Sequence, residues 1–466
     1  MDSENNNNVI VNAFDDEDDE NEDEGLALDE DNIVRVIDLP ENRDGEDEMD
    51  TDEESEGAEG GEPPVEDKAA VVFSAHTEKP HAEDEPPEVY AVHVDPSNSG
   101  LVVTGGRDDA AYVWVMNSGQ VLFECTGHKN SVTSVAFSHD GKYVASADLD
   151  GVIKVWRVET KEEVWSYECG SDVTWIQWHH AAHALVAGTQ SGEVWMWKVP
   201  SQDWSKMKMF QSHGHPSLCG KILADGNSAC VGYADGAVKL WDLKTGKAVH
   251  TWQHASLPEE EEDMAGGDDS DDEEGVGEKG GGERSEQTKE EEEEEPKTSP
   301  VAILSVDSSA DNALVMSGCA NSTAKVFSVS SGKLVSTFNC ALNRDQDNSV
   351  ESVAFCPMAS YGATATNSGA VEVWDLPTSV VRHTLKHPEG VCKVKWSSSS
   401  LLLYTACLDG ITRVWDARSG ASKAVLTGHA RNSCILDLDV KRDGTCLVSA
   451  SEDGTARVFD LRFIQS

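Results

Sequence analysis

Apolar and polar positions alternate along most of this chain in short runs, and each run is cut by a Gly or Asp turn. Period-two alternation over about five residues, bounded by such turns, is the signal of a half-buried β-strand and its hairpin. The stretch from Gly127 to Glu168 is the fullest example. Gly127 and His128 open it, and Val132, Val135 and Phe137 mark an inner strand. Asp140-Gly141 is a hairpin turn, Tyr143 to Ala147 a second strand, and Asp150-Gly151 a second turn. Val152 to Trp156 is a third strand, and Val164 to Glu168 an outer one. Glycine suits both turns because it accepts the positive φ that they require. The same phrase returns with variation and closes at Trp114, Trp156, Trp197, Trp241, Phe327, Trp374, Trp415 and Phe459. The gaps between these anchors are 42, 41, 44, 86, 47, 41 and 44 residues.

A repeat of about 40–45 residues that closes on Trp-Asp, with four strands per unit, is the mark of a WD40 blade. The pattern predicts an all-β, single eight-bladed β-propeller. The long gap contains Pro258 to Lys297, which has no strand pattern, and the rest of that gap is one ordinary period. The expected organisation is an acidic disordered tail over residues 1–69, blades 1–4 over 70–257, an acidic disordered insert over 258–297, and blades 5–8 over 298–466. Few residues follow Phe459, which would leave the last blade with an open edge. The apolar run at residues 70–75, Ala70 to Ala75, is expected to fill it as a closing outer strand.

Charge sharpens this division. The net charge is −51, and the first 88 residues hold 34 acidic against 4 basic residues. Residues 258–297 hold 20 acidic against 4 basic, so the repeats themselves are near neutrality at about −5. Segments this acidic and this poor in aromatics bury too little to offset the entropy of ordering. Phosphate would be repelled, which argues against direct nucleic-acid binding, whereas encounter with a basic protein would be accelerated. The 11 cysteines are scattered, never in C-x-x-C, and mostly in apolar strands, as reduced thiols are. No basic leader and no apolar run of about 18 residues is visible. A cytoplasmic monomer that also reaches the nucleus, without membrane insertion, is the expectation.

Each set of chemistry-bearing residues also has a simpler structural role open to it. In WD40 blades a His, a Ser or Thr, a turn Asp and the Trp form a hydrogen-bonded tetrad. The best candidates are His128, Ser146, Asp150 and Trp156, and His387, Thr405, Asp409 and Trp415. A catalytic triad would not need copies, so a structural role is preferred and no catalytic residue is assigned. Repeats 3, 5 and 6 lack the His, and their turns carry Ser191, Asn321 and Ser368. His179, His180 and His183 sit together without a nearby Cys or carboxylate, so a solvent-exposed turn is favoured over a metal site. Gly275, Gly277 and Gly280 match G-x-G-x-x-G, but with no strand before and no helix after, so no cofactor is expected. Thr51 and Ser270 precede carboxylates and suit an acidophilic kinase. The aliphatic island Ile33 to Leu39 has the look of a short linear motif. Partner contacts are expected on the turns before the third strands and the loops leading into the inner strands. These are Arg107, Asp109, Lys129, Asn130, Asp148, Leu149, Gln190, Tyr233, Asn367, Leu408, Arg431 and Glu452.

Several runs carry a more specific likeness. They are Leu122 to Asp140, Lys154 to Tyr167, Trp195 to Pro200, Val231 to Leu243, Asn348 to Phe355 and Leu408 to Ala417. Together with the acidic tail, they resemble the angio-associated migratory cell protein family. The resemblance implies an eight-bladed propeller without enzymatic activity. Fungal relatives of that family chaperone a large-subunit ribosomal protein by holding its basic N-terminal segment on an acidic face. Animal members are linked to cell migration and scaffolding. The acidic insert at 258–297 departs from the family pattern. The expected function is therefore a protein-binding chaperone or assembly adaptor for a basic client such as a ribosomal protein. The alternative is a signalling or ubiquitin-ligase-type scaffold.

Overall fold

The computed structural model describes residues 67–77, 88–201, 203–254, 301–340 and 348–465. The aliphatic island, Thr51, Ser270, the G-x-G-x-x-G match and the insert lie outside the described residues.

Within the described residues the chain forms eight four-stranded antiparallel sheets. In seven of them the strands follow chain order from the first to the fourth. Blade 2 is typical, with Val132–Phe137, Tyr143–Asp148, Val152–Arg157 and Glu162–Glu168. Its second strand is buried along its whole length, whereas its fourth is mostly exposed. The second strand is covered on both faces by neighbouring blades, so its small residues Ala145, Ser146 and Ala147 let the sheets approach closely. The hydrophobic core is accordingly divided into layers between blades. One layer joins Val103, Val113 and Phe123 of blade 1 to Val132, Val135, Val144 and Trp156 of blade 2.

Turn chemistry follows the sequence where glycine is present. Gly410, between the second and third strands of blade 7, has φ +79°, which strains any other residue, and two backbone oxygens crowd within 3.0 Å of where a Cβ would sit. Blades 1 and 5 use Asp109 (φ 58°) and Ser322 (φ 65°) at the equivalent turn. The 11 cysteines form no disulfide. Burial pushes the thiols of Cys125, Cys219 and Cys392 up, so they remain protonated and pack as small apolar groups.

Blade 8 departs from chain order. It contains Ile435–Val440, Cys446–Ser451 and Ala456–Asp460, and its outer strand is Val71–Phe73. That strand pairs antiparallel with the third, Val71 opposite Val458 and Phe73 opposite Ala456. Phe73 is 0 % exposed and stacks on Trp114 of blade 1 at 4.7 Å between ring centroids. Its cluster combines Val92, Val102 and Tyr112 of blade 1 with Val448, Ala450 and Val458 of blade 8. Three residues of strand therefore close the sheet and pack the seam between first and last blades. Replacing Phe73→Ala should cost about 3–5 kcal/mol of unfolding free energy in urea titration. A loss under about 1 kcal/mol would show that the seam does not depend on this ring.

Candidate functional site

In an up-and-down sheet successive connections alternate between the two edges of the ring. The turns between second and third strands thus share one face with the connections that lead into each new blade. This upper face holds the expected contact residues. It is shaped from below by buried polar groups that fix its loops.

Blade 8 shows the arrangement clearly. His429 Nδ1 lies 2.9 Å from Asp453 Oδ2 and its Nε2 lies 2.7 Å from Ser449 Oγ. Blade 1 has the same set with a His from the N-terminal segment. His76 bonds Asp108 at 2.7 Å and Thr104 at 2.8 Å, and Trp114 Nε1 donates to Thr104 at 2.8 Å. In blade 4 His213 bonds Asp235 at 2.8 Å, and Trp241 donates to the Tyr233 hydroxyl at 3.2 Å. In blade 6 a cysteine replaces the His, and Cys340 Sγ donates to Thr364 Oγ1 at 3.4 Å while Trp374 donates to the same oxygen at 2.9 Å. Blade 3 keeps only the tryptophan, and Trp197 Nε1 is buried without a hydrogen-bond partner. Each satisfied set ties a loop to the strands beneath it, because a buried polar group is stable only when bonded.

The two sets expected from the sequence need correction. His128 bonds Ser146 at 2.5 Å and Asp148 at 2.8 Å, and Asp150 is not its partner. Asp148 ends the second strand with its side chain turned inward, fully buried, and it also accepts Val152 N–H at 2.8 Å. Asp150 lies on the exposed turn and accepts from Asn130 at 2.8 Å. In blade 7, His387 bonds Thr405 at 2.8 Å, and Trp415 donates to Thr405 at 3.1 Å. Asp409 is instead held by both terminal nitrogens of Arg413, at 3.2 and 2.6 Å, and His387 Nδ1 turns to the Gly369 carbonyl at 3.3 Å. A guanidinium fork outcompetes a neutral ring for a carboxylate. Repeat 5 does have its His. His254, before the insert, reaches Thr323 at 3.2 Å.

The expected contact residues divide by burial. Asp109, Lys129, Leu149, Gln190, Asn367 and Arg431 are exposed, and Arg107, Asn130, Leu408 and Glu452 are half-buried. Arg107 pairs with Glu88 at 3.0 Å, and Glu452 accepts Cys434 N–H at 3.0 Å. Asp148 and Tyr233 are 0 % exposed and cannot touch a partner directly. They support the face from beneath. Asp172 and Glu389 are also exposed on this face, in the connections into blades 3 and 7 just before the inner strands. His179 also differs from expectation. It is buried, and its Nε2 reaches the Gly226 carbonyl of blade 4 at 2.8 Å.

Charge also gathers where the innermost strands meet around the axis. Lys221 pairs with Asp307 at 3.2 Å and Lys393 with Asp437 at 3.3 Å, and Lys395 pairs with Asp439. Asp437 and Asp439 also accept backbone N–H groups of blade 1, from Val92 at 3.1 Å and Val94 at 2.7 Å. Burial raises the Asp439 carboxyl, but Lys395 and His93 outweigh it and hold it below the ordinary range.

Eight radially repeated four-stranded sheets with His–Ser/Thr–Trp struts define a WD40 β-propeller. The "WD domain, G-beta repeat" family matches residues 119–157, 379–416 and 420–460. The human "Angio-associated migratory cell protein" is 35 % identical over 403 residues, covering 84 % of this chain and 80 % of that protein. The chain belongs to the angio-associated migratory cell protein family. The Saccharomyces cerevisiae "Ribosome assembly protein SQT1" is 22 % identical across 91 % of this chain and 93 % of its own. The Chaetomium thermophilum Sqt1, solved bound to the N-terminus of ribosomal protein L10, has the same fold with a TM-score of 0.67. It is 19 % identical and covers 85 % of this chain and 100 % of its own.

The struts make stability depend on pH. Burial, reinforced by Lys325 and Arg413 respectively, pushes His254 and His387 down to about 4. Below about pH 6.5 the unfolded chain takes up protons that these folded histidines refuse until about pH 4. Their contribution is therefore complete above that window and is lost as pH falls through it, up to about 3 kcal/mol each. The melting temperature should drop between pH 6.5 and 4, and His387→Gln should flatten the slope. An identical slope in that variant would contradict the assignment.

Proposed function

We propose that this protein is a non-enzymatic binding module. It holds the basic terminal segment of a client, most concretely a large-subunit ribosomal protein, until assembly. The observation that carries this reading is the likeness along nearly all of both chains to Ribosome assembly protein SQT1. Charge supports it. The acidic insert is spliced into the connection between blades 4 and 5, after His254, and the acidic N-terminal sequence meets the ring at Asp67, beside Gly428 in the connection between blades 7 and 8. The described anchor points, His254 and Gly428, lie at the upper face, where Asp172 and Glu389 are also exposed.

In this mechanism the long-range field of the acidic segments captures a Lys/Arg-rich client quickly. Contacts with the strut-held loops then slow its release. The protein acts as a monomer in the cytoplasm and also in the nucleus, and the insert and tail shield the client from RNA. The scaffold alternative makes different demands, because a second partner on the same ring need not be basic.

The test is titration of the full-length protein with the basic N-terminal peptide of a large-subunit ribosomal protein. Raising salt from about 0.05 to 0.5 M should weaken binding by roughly tenfold or more. The pair Asp172→Asn and Glu389→Gln should weaken it further, mainly through the association rate. Binding that ignores salt, or that prefers an acidic peptide of equal length, would favour the scaffold.

A further inference from the structure

The lower face, opposite the one that carries the contact loops, brings together groups that lie far apart in the chain. The turn between the first two strands of blade 2 carries His139 and Asp140, and the equivalent turn of blade 3 carries His183. Each of the three offers one ligand atom, and these atoms all lie within 4.8 Å of one another. His183 Nε2 is 3.0 Å from Asp140 Oδ2. The rings of His139 and His183 have centroids 5.3 Å apart. His139 Nδ1 is buried and has no hydrogen-bond partner. An unbonded buried ring nitrogen is costly, and a cation is a partner that would relieve it.

We propose that His139, Asp140 and His183 form a zinc-class metal site that staples blade 2 to blade 3. Two imidazoles and one carboxylate make a borderline nitrogen–oxygen donor set. It suits zinc and its transition-metal neighbours, whereas magnesium and calcium take oxygen cages. The surroundings prepare the ligands. Ser138 Oγ donates to Asp140 Oδ1 at 2.8 Å and Lys142 N–H to the same oxygen at 3.2 Å, which leaves Oδ2 for the ion. Tyr143 packs edge-on against His183 at 4.9 Å and fixes its ring. Such supporting bonds orient ligands in metal sites generally.

Asp140 and His183 side chains are 24 % and 31 % exposed, so the site opens to solvent and a water completes the coordination. The ion replaces the proton that His183 and Asp140 share. Lys142 Nζ stands 3.7 Å from Asp140 Oδ2 and opposes a cation, but its side chain is 72 % exposed and can turn away. His179 does not take part, because its two ring nitrogens are committed to the Gly226 carbonyl and the Ala181 N–H. The carboxylate that the three-histidine turn lacks in sequence comes from the neighbouring blade, 43 residues away.

The test uses metal-free full-length protein titrated with cobalt(II) and then zinc. One equivalent of cobalt should give the intense visible bands of a four- or five-coordinate nitrogen–oxygen site, and zinc should abolish them. Zinc should also raise the melting temperature. His183→Gln and Asp140→Asn, both at partly exposed positions, should retain the native circular dichroism and lose zinc affinity by more than roughly tenfold. Three results would overturn the proposal. One is the weak spectrum of octahedral cobalt, as expected for ions on the acidic tracts. Another is a thiolate charge-transfer band, which would assign the metal to cysteine. The third is undiminished zinc binding in both variants.

Discussion

A ring of sheets is stable only if it closes, and here closure rests on residues 71–77. Val71–Phe73 completes blade 8, while His76, three residues on, supplies the strut of blade 1 through Thr104 and Asp108. One short segment therefore belongs to both the last and the first blade. The same seam is tied near the axis, where Asp437 and Asp439 of blade 8 accept Val92 and Val94 of blade 1 while pairing with lysines of blade 7. Open edge strands would otherwise offer unpaired backbone groups to other chains. Apolar packing at the rim and charge pairing near the axis thus secure one junction.

Closure makes the upper face a fixed platform. Its loops rest on struts that differ between blades. Blades 1, 2, 4 and 8 use a His–Asp pair, blade 7 gives its Asp to Arg413, and blade 6 substitutes a cysteine. Blade 3 leaves Trp197 Nε1 unbonded. The loops are thus held differently from blade to blade, while every sheet beneath them has four antiparallel strands. This division of labour suits a surface that recognises another protein: the ring supplies rigidity, and the turn residues supply identity.

Much of this was legible in the sequence because a propeller is written as a repeat. The spacing of Trp114 through Phe459 carries eight blades, and the apolar run near Val71 lies where the open edge of blade 8 needs a strand. The strut partners were less legible. Asp148 and Asp150 are two residues apart, and only side-chain direction decides which one His128 meets. His76 precedes Trp114 by 38 positions whereas His128 precedes Trp156 by 28, so repeat spacing hid it. His254 was masked by the insert that follows it. Contacts between blades are invisible to a period, which is why Asp140 was not seen beside His183 and why the axial lysine–aspartate pairs went unnoticed.

On the proposed reading, the upper face and the acidic segments hold a newly made basic protein. The most direct measurement is affinity purification of the tagged full-length protein from cells with and without a brief block of translation, followed by mass spectrometry. One strongly enriched ribosomal protein that disappears after the block is the expected result. A stable set of signalling or ligase subunits, unchanged by the block, would contradict it.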